Sequence, residues 1–382
     1  MNRVDAFLFL ARCLVPEDHP GPHRDKLAEE IAAGRVCWER VIEIASEYWM
    51  TLALYRELGE KRLLDLLPGD LLEYFNCMHE WNGARNREIL EHASELAGLL
   101  NRIGVEPLLL KGVSHLASGL YPDAAVRFMS DIDILVPSDR ALECWRFLIS
   151  SGYRTSAAPA GARVDCMPHE HWPGLVRKGR TGDLEMHRLP EWNHMLSSPS
   201  LYLDAEPVAL GGGKARILTA TSHMIFTIAH SYVHHQFRLE AAPLRDLYDA
   251  TLLLRQHDKE IAWRQVIDAF ERGGQTGALR TACMMWRRLF SQSPPCAIDR
   301  PPWAWIYWQR CLLKIMKPRW GLVCDALALY ARRLRIAFSG TTEAKRIRKE
   351  FTPSVFVRKL RMAAPLWAAA NRRRDGGKSA SR

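Results

Sequence analysis

"VRFMSDIDILVP" (Val126–Pro137) is the stretch that decides how the rest of the chain is read. Side chains alternate faces along a β-strand, so Asp131 and Asp133 point one way while Ile132 and Ile134 point the other. The isoleucines belong to a core, and the two carboxylates share the opposite surface. Carboxylates that close repel each other unless a cation stands between them. Magnesium suits such a pair, because it takes oxygen ligands and binds through one or two carboxylates together with substrate phosphates. The pattern alone equally fits the solvated start of an ordinary strand, so the neighbouring sequence has to decide.

Upstream, "VEPLLLKG" (Val105–Gly112) is an apolar run too short for a helix, bounded by Pro107 and Gly112, and reads as a buried strand. It continues through Lys111, Gly112 and Ser114 into "VSHLASGLYP", a helix ending before Pro122. Gly112 would let backbone approach a ligand closely, and a helix N-terminus favours anions. Downstream, "SDRALECWRFLISSGY" reads as a helix with Ser138 as N-cap and Gly152 as stop. "PGLVRKGRTGDLEMHR" reads as a β-hairpin with its turn near Gly179 to Gly182. Its second strand, Asp183 to Arg188, places Asp183, Glu185 and His187 on one face. Strands alternate with helices throughout this centre, which predicts an α/β unit of about 110 residues.

A phosphate-friendly turn, two metal-type carboxylates and a third carboxylate on a later strand together resemble the polymerase-β-like nucleotidyltransferase superfamily. More narrowly, "LLLKG…YPDAAVRFMSDIDILV…GY…LEMHR" resembles the bacterial family of uncharacterised nucleotidyltransferases, over about residues 88–190. A looser likeness runs through "HMIFTIAHSYVHHQFRLEAAPLRDLYDATLLL", and beyond about residue 285 the likeness ends. The resemblance implies an α+β fold: a nucleotidyltransferase core with a small mixed sheet, flanked by N-terminal and C-terminal helical regions. It also implies a nucleoside monophosphate moved from an NTP, ATP being the expected one, to an acceptor hydroxyl on a small molecule, peptide or protein. Asp131, Asp133 and Glu185 would hold Mg2+ or Mn2+, with Glu185 on the acceptor side. Two such ions, about 3.5–4 Å apart, stabilise the attacking and leaving oxygens of an in-line displacement. Lys111, Gly112, Ser114 and Arg127 would serve the nucleotide, the lysine and arginine by neutralising phosphates. Arg127 has a second reading, as a salt bridge orienting Asp131 or Asp133. The superfamily's Gly-Ser pair is interrupted here as Gly112-Val113-Ser114, which shifts weight from Ser114 to Lys111.

The chain has 382 residues, 48% of them apolar and 25% charged, enough for two or three domains around a sizeable core. Four regions follow: helical residues 1–84, the core 85–216, a second helical region 217–300, and a basic helical region 301–382 with a disordered tail. Residues 310–382 carry 19 Lys/Arg against 4 Asp/Glu, a net +15, which leaves the preceding residues at −5. A segment so basic either docks nucleic acid or an anionic membrane surface, or is a solvated helix face with a frayed end. The first of these gives an alternative function, an inactive nucleotidyltransferase fold that binds nucleic acid or a partner through its basic end. No run of about 18 uncharged apolar residues predicts a membrane span. Nine widely spaced cysteines without C-x-x-C fit reduced thiols in a cytoplasmic protein better than a disulfide frame or a zinc knuckle.

Several other features compete for a role. His171 and His187 fall just before and inside the hairpin, where either could flank the site. His230, His234 and His235 have a spacing that can bind zinc, but no cysteine or carboxylate partner stands at clear spacing, so a structural or substrate-contact role beside Arg238, Arg245 and Asp246 fits better. "LGGGK" (Leu210–Lys214) lacks the full phosphate-loop pattern and reads as a hairpin turn. Trp303, Trp305, Trp308 and Trp320 read as helix core in preference to a platform for stacked bases.

Overall fold

Leu108, Leu109 and Leu110 are completely buried, and they form the short strand β1 (Leu108–Leu110) inside a seven-stranded mixed sheet. The computed structural model describes residues 1–16, 23–156, 172–187, 195–196, 198–234, 242–292 and 303–318. The basic segment 319–382, the Pro-rich stretch from 293 to 302, and His171, His235, Arg238 and Trp320 lie outside the described residues.

The remaining strands are β2 (Asp131–Leu135), β3 (Tyr153–Thr155), β4 (Leu175–Arg177), β5 (Asp183–His187), β6 (Glu206–Leu210) and β7 (Gly213–Ile217). Their order across the sheet is β3-β4-β5-β2-β1-β7-β6. β2 lies antiparallel to β1 and parallel to β5, so the carboxylate strand is paired on both sides. Buried Ile132 and Ile134 face the core, as the period-two pattern predicts. Both expected hairpins form: β4 pairs with β5, and β6 with β7 across Gly211 and Gly212. β3 pairs with β4 and was not expected, because three residues are too few for a legible alternation.

The N-terminal part is helical: α1 (Arg3–Cys13), α2 (His23–Ala32), α3 (Trp38–Glu47), α4 (Thr51–Glu60) and the long α5 (Gly69–Arg102). Asn2 and Asp5 close a capping box on α1, satisfying free backbone donors at its start. α5 spans 34 residues and packs on β7 through small residues. A Cβ added at Gly213 would stand 2.7 Å from both the Ala97 Cβ and the Ser94 carbonyl oxygen, so helix and strand backbones meet there directly. Asn101 exchanges two hydrogen bonds with the backbone of Lys214, at 2.9 and 2.8 Å, and fixes the register of helix on strand.

α6 (Lys111–Ala117) follows β1 without a loop, and α7 (Ala141–Ser150) follows β2. Two expectations change here. Arg140, not Ser138, occupies the position before α7, and no side chain caps it. Lys111-Gly112-Val113-Ser114 is the first turn of α6, not a turn ahead of it. Gly112 is closely packed: a Cβ there would lie 2.8 Å from Met129 Cγ and 2.9 Å from its Sδ, so the buried Met129 side chain would have to shift.

Beyond the sheet come α8 (Ser198–Asp204), α9 (Ala220–Ala229) with a π-helical extension at His230–His234, α10 (Leu244–His257), α11 (Trp263–Arg272), α12 (Thr276–Phe290) and α13 (Ala304–Met316). α11 buries Trp263, Val266, Ala269 and Phe270, the single stripe of an amphipathic helix. Of Trp303, Trp305 and Trp308, only Trp308 on α13 is core; Trp305 is 65% exposed, and Trp303, just before the helix, is 46% exposed, which corrects the expectation for those two residues. Among the described residues, no helix is long and apolar enough to cross a membrane.

Candidate active site

The site begins with strand register. Asp133 of β2 stands opposite Glu185 of β5, Asp131 opposite Asp183, and Leu135 opposite His187. In a parallel pair, residues in register lie on the same face, so Asp131, Asp133, Asp183 and Glu185 form one acidic surface across two adjacent strands. On the other side of β2, Leu110 stands opposite Asp133, so Lys111 leaves the sheet beside that carboxylate.

Asp133 is the centre of the cluster. It is 2% exposed, and its Oδ1 accepts from Lys111 Nζ at 2.6 Å and lies 2.8 Å from His187 Nε2. Burial alone would raise the Asp133 pKa, but Lys111 and His187 outweigh it and hold the carboxyl well below the usual range. Burial pulls Lys111 down, and Asp133, with Glu185 and Asp131, more than restores it. Asp131 and Glu185 behave oppositely. Burial and then the Asp133 charge raise both, because neither has Asp133's direct cationic partner. One atom each from Asp133, Glu185 and His187 fall within 4.8 Å of one another, close enough to hold a single ion. Carboxylates pushed up by burial and then by a neighbouring negative charge, beside an ammonium already seated on the most buried one, mark a place where a cation is favoured. The oxygen-rich donor set suits magnesium or manganese, and the imidazole tilts it toward the softer ion.

Arg127 does not join this cluster. Its guanidinium is buried and grips Asp249 of α10, with Nε to Oδ1 at 3.1 Å and Nη2 to Oδ2 at 2.8 Å. Nη1 donates to the Phe128 carbonyl at 2.8 Å. Arg127 thus forms a salt bridge, but to Asp249 and not to Asp131 or Asp133 as expected, and its guanidinium is engaged there. Tyr121 also donates to Asp249, and His115 Nε2 lies 3.4 Å from it. Asp249 was missed in the sequence; its signal was a carboxylate within the apolar run "LYDATLLL", which a buried helix face tolerates only with a partner.

Ser114 is fully buried, and its hydroxyl has no hydrogen-bond partner among the described residues. His230 Nδ1 lies 3.3 Å from Asp246, which also accepts from Ser231, while the His234 side chain is outside what is described. Arg245 Nε is 3.9 Å from Asp246, and its charge also reaches Asp131.

The chain belongs to the family described as uncharacterised nucleotidyltransferase, whose profile matches residues 35–291. That span extends well beyond 88–190 on both sides and takes in Asp249 as well as the carboxylate strands. No curated protein matches the chain. Among solved structures, the crystal structure of an antigenic nucleotidyltransferase-like protein from Paracoccidioides brasiliensis is similar at 16% identity, covering 51% of this chain and 93% of that chain with a TM-score of 0.34. A likeness at that TM-score bears on neither site nor substrate.

Proposed function

We propose that this member of the nucleotidyltransferase family is a metal-dependent enzyme that moves a nucleoside monophosphate from an NTP, ATP being the expected one, to an acceptor hydroxyl. The observation that carries the reading is the register of β2 on β5, which sets Asp133 against Glu185 with Asp131 on the same face. The donor set fits Mg2+ or Mn2+, and when bound the ion supplies Lewis-acid stabilisation of the reacting phosphoryl oxygens. Asp131, Asp133 and Glu185 are the ligands in this reading, and His187 orients Asp133 or joins them.

The rest follows from the side chains. Glu185, set against Asp133 on the neighbouring strand, stands on the acceptor side in this reading, where it would align the acceptor hydroxyl and help take its proton. The Lys111 ammonium, at the edge of the site and partly exposed, can exchange Asp133 for a phosphate oxygen as a nucleotide enters. Phosphoryl-type transfer rests on such positioning and charge, so few groups need to react covalently.

Purified protein incubated with Mn2+, α-phosphate-labelled NTPs and candidate acceptors should transfer label. The Asp131→Asn/Asp133→Asn double variant should lose at least ~100-fold, the loss typical of removing a charge-stabilising group. Undiminished labelling in that variant would overturn the assignment.

A further inference from the structure

Three aromatic rings stand nearly parallel beside the carboxylate strand. Trp49, between α3 and α4, stacks on Phe128 with centroids 4.7 Å apart and planes 18° apart. Trp81 of α5 lies 6.4 Å from Phe128 at 25°. Arg85, one helical turn after Trp81, sets its guanidinium carbon 4.7 Å from the Phe128 centroid and 5.9 Å from that of Trp81. Packing does not demand these indoles, for Trp49 is 48% and Trp81 54% exposed. Trp49 is also held in the left-handed region, at φ 58°, which side chains other than glycine rarely adopt.

The array is tied to the site by the chain itself. Phe128 precedes Asp131 by three residues, so the two Cα atoms are at most about 11 Å apart. α5 clamps the connecting segment: Asn86 donates to the Arg127 carbonyl at 2.7 Å, and Arg85 to the Met129 carbonyl. Arg85 and Asp131 are close enough for their charges to act on each other. The array thus adjoins the strand that carries the carboxylates, exposes about half of each of two indoles, and carries a cation that favours an electron-rich ring.

We infer that Trp49, Phe128, Trp81 and Arg85 form the stacking platform for the base of the NTP, an inference that rests on the nucleotidyl-transfer reading above. Stacking uses the π face that every base has, so the platform predicts broad nucleotide tolerance with purines ahead of pyrimidines.

Calorimetry with Mn2+ tests it, comparing ATP with inorganic triphosphate, which has no base. Trp49→Ala and Trp81→Ala should each weaken ATP binding roughly 5- to 150-fold, the range for losing one aromatic from a base stack. Triphosphate should bind both variants as it binds the wild type, which also shows that they fold. Trp81→Phe should recover most of the ATP affinity. ATP binding unchanged in the alanine variants overturns the platform, as does an equal loss for ATP and triphosphate. Unchanged ATP binding with slowed transfer would assign the rings to the acceptor and also overturn it. The transfer reading survives those results if the Asp131→Asn/Asp133→Asn variant loses both ligands. Wild-type protein that binds neither ligand would sink both.

Discussion

Lys111 is a lysine at φ 50°, a left-handed conformation that costs roughly 1–2 kcal/mol outside glycine, and its ammonium sits 2.6 Å from the carboxylate at the centre of the site. That placement makes it a competitor for any cation that Asp133 binds. Lys111→Met removes both the competitor and a nearby positive charge, so Mn2+ in the absence of nucleotide should bind about tenfold more tightly, one pKa-unit equivalent of interaction. Titration followed by Mn2+ electron paramagnetic resonance reads this directly, and weaker binding would show that the lysine builds the site instead of guarding it. The same variant should transfer more slowly, having lost a phosphate partner. Gly112, the next residue, is constrained by Met129. Gly112→Ala should destabilise by ~1–3 kcal/mol, as overpacking does. In urea unfolding, Gly112→Ala/Met129→Ala should lose less than the sum of the two single variants, because the second substitution makes room for the first.

The pair Arg127–Asp249 acts at the level of elements, joining the segment that enters β2 to α10, 122 residues later. Asp249→Ala should cost ~3–5 kcal/mol, because it leaves a buried guanidinium without its counter-charge. Arg127→Met/Asp249→Leu should regain much of that loss, since well-packed apolar residues often replace a buried ion pair at little cost. Chemical denaturation of the three proteins checks both statements; a double variant as unstable as the worse single one would mean that Tyr121 and His115 also depend on the pair. This pair marks the boundary of what the sequence makes legible. β1, β2 and β5 could be read because their alternation and their Pro or Gly bounds are local, and with them the shared face of Asp131, Asp133 and Glu185. The partner of Arg127 could not, because nothing near residue 127 encodes a contact with residue 249. The start of α7 was misplaced because Ser138 is a good cap by residue type, but backbone geometry puts the cap two residues later, at Arg140. The ring array was invisible for the same reason as Asp249: residues 49, 81 and 128 meet only after α5 packs beside β2.

Among the described residues, the first helix and the last share one core. Tyr248 of α10 donates to Glu57 of α4 at 2.7 Å, Glu57 pairs with fully buried Lys61 at 2.9 Å, and Arg3 donates to the Ile315 carbonyl at 2.8 Å. A core assembled from so many elements also encloses histidines, and these set how stability depends on pH. His223 on α9 is 3% exposed and stacked on His115 of α6, with ring centroids 4.4 Å apart. Burial, then the neighbouring His115, holds its pKa well below the ordinary value; Asp249 on α10 works in the opposite direction, and His257 adds to the lowering. His92 on α5, fully buried with Thr181 and Tyr153 at its two nitrogens, is lowered by burial too. The unfolded chain therefore takes up protons near pH 6.5 that the folded chain refuses. Stability is complete above that pH and falls as the pH drops below it, by up to about 1.4 kcal/mol per pH unit for each such histidine. The depressed carboxylates Asp133, Asp246 and Asp249 act in the same direction only below about pH 4, where unfolded aspartates titrate. Urea unfolding at pH 7.5 and 5.5 should thus show a loss before the depressed carboxylates titrate, and the raised Asp131 and Glu185, which take up protons more readily folded than unfolded, only oppose it. In His223→Gln the gap between the two pH values should shrink by ~1.4 kcal/mol, one histidine's share over a pH unit. A gap that stays at its wild-type size in His223→Gln would mean that His223 takes up its proton in the folded state, and that the core opens to admit it.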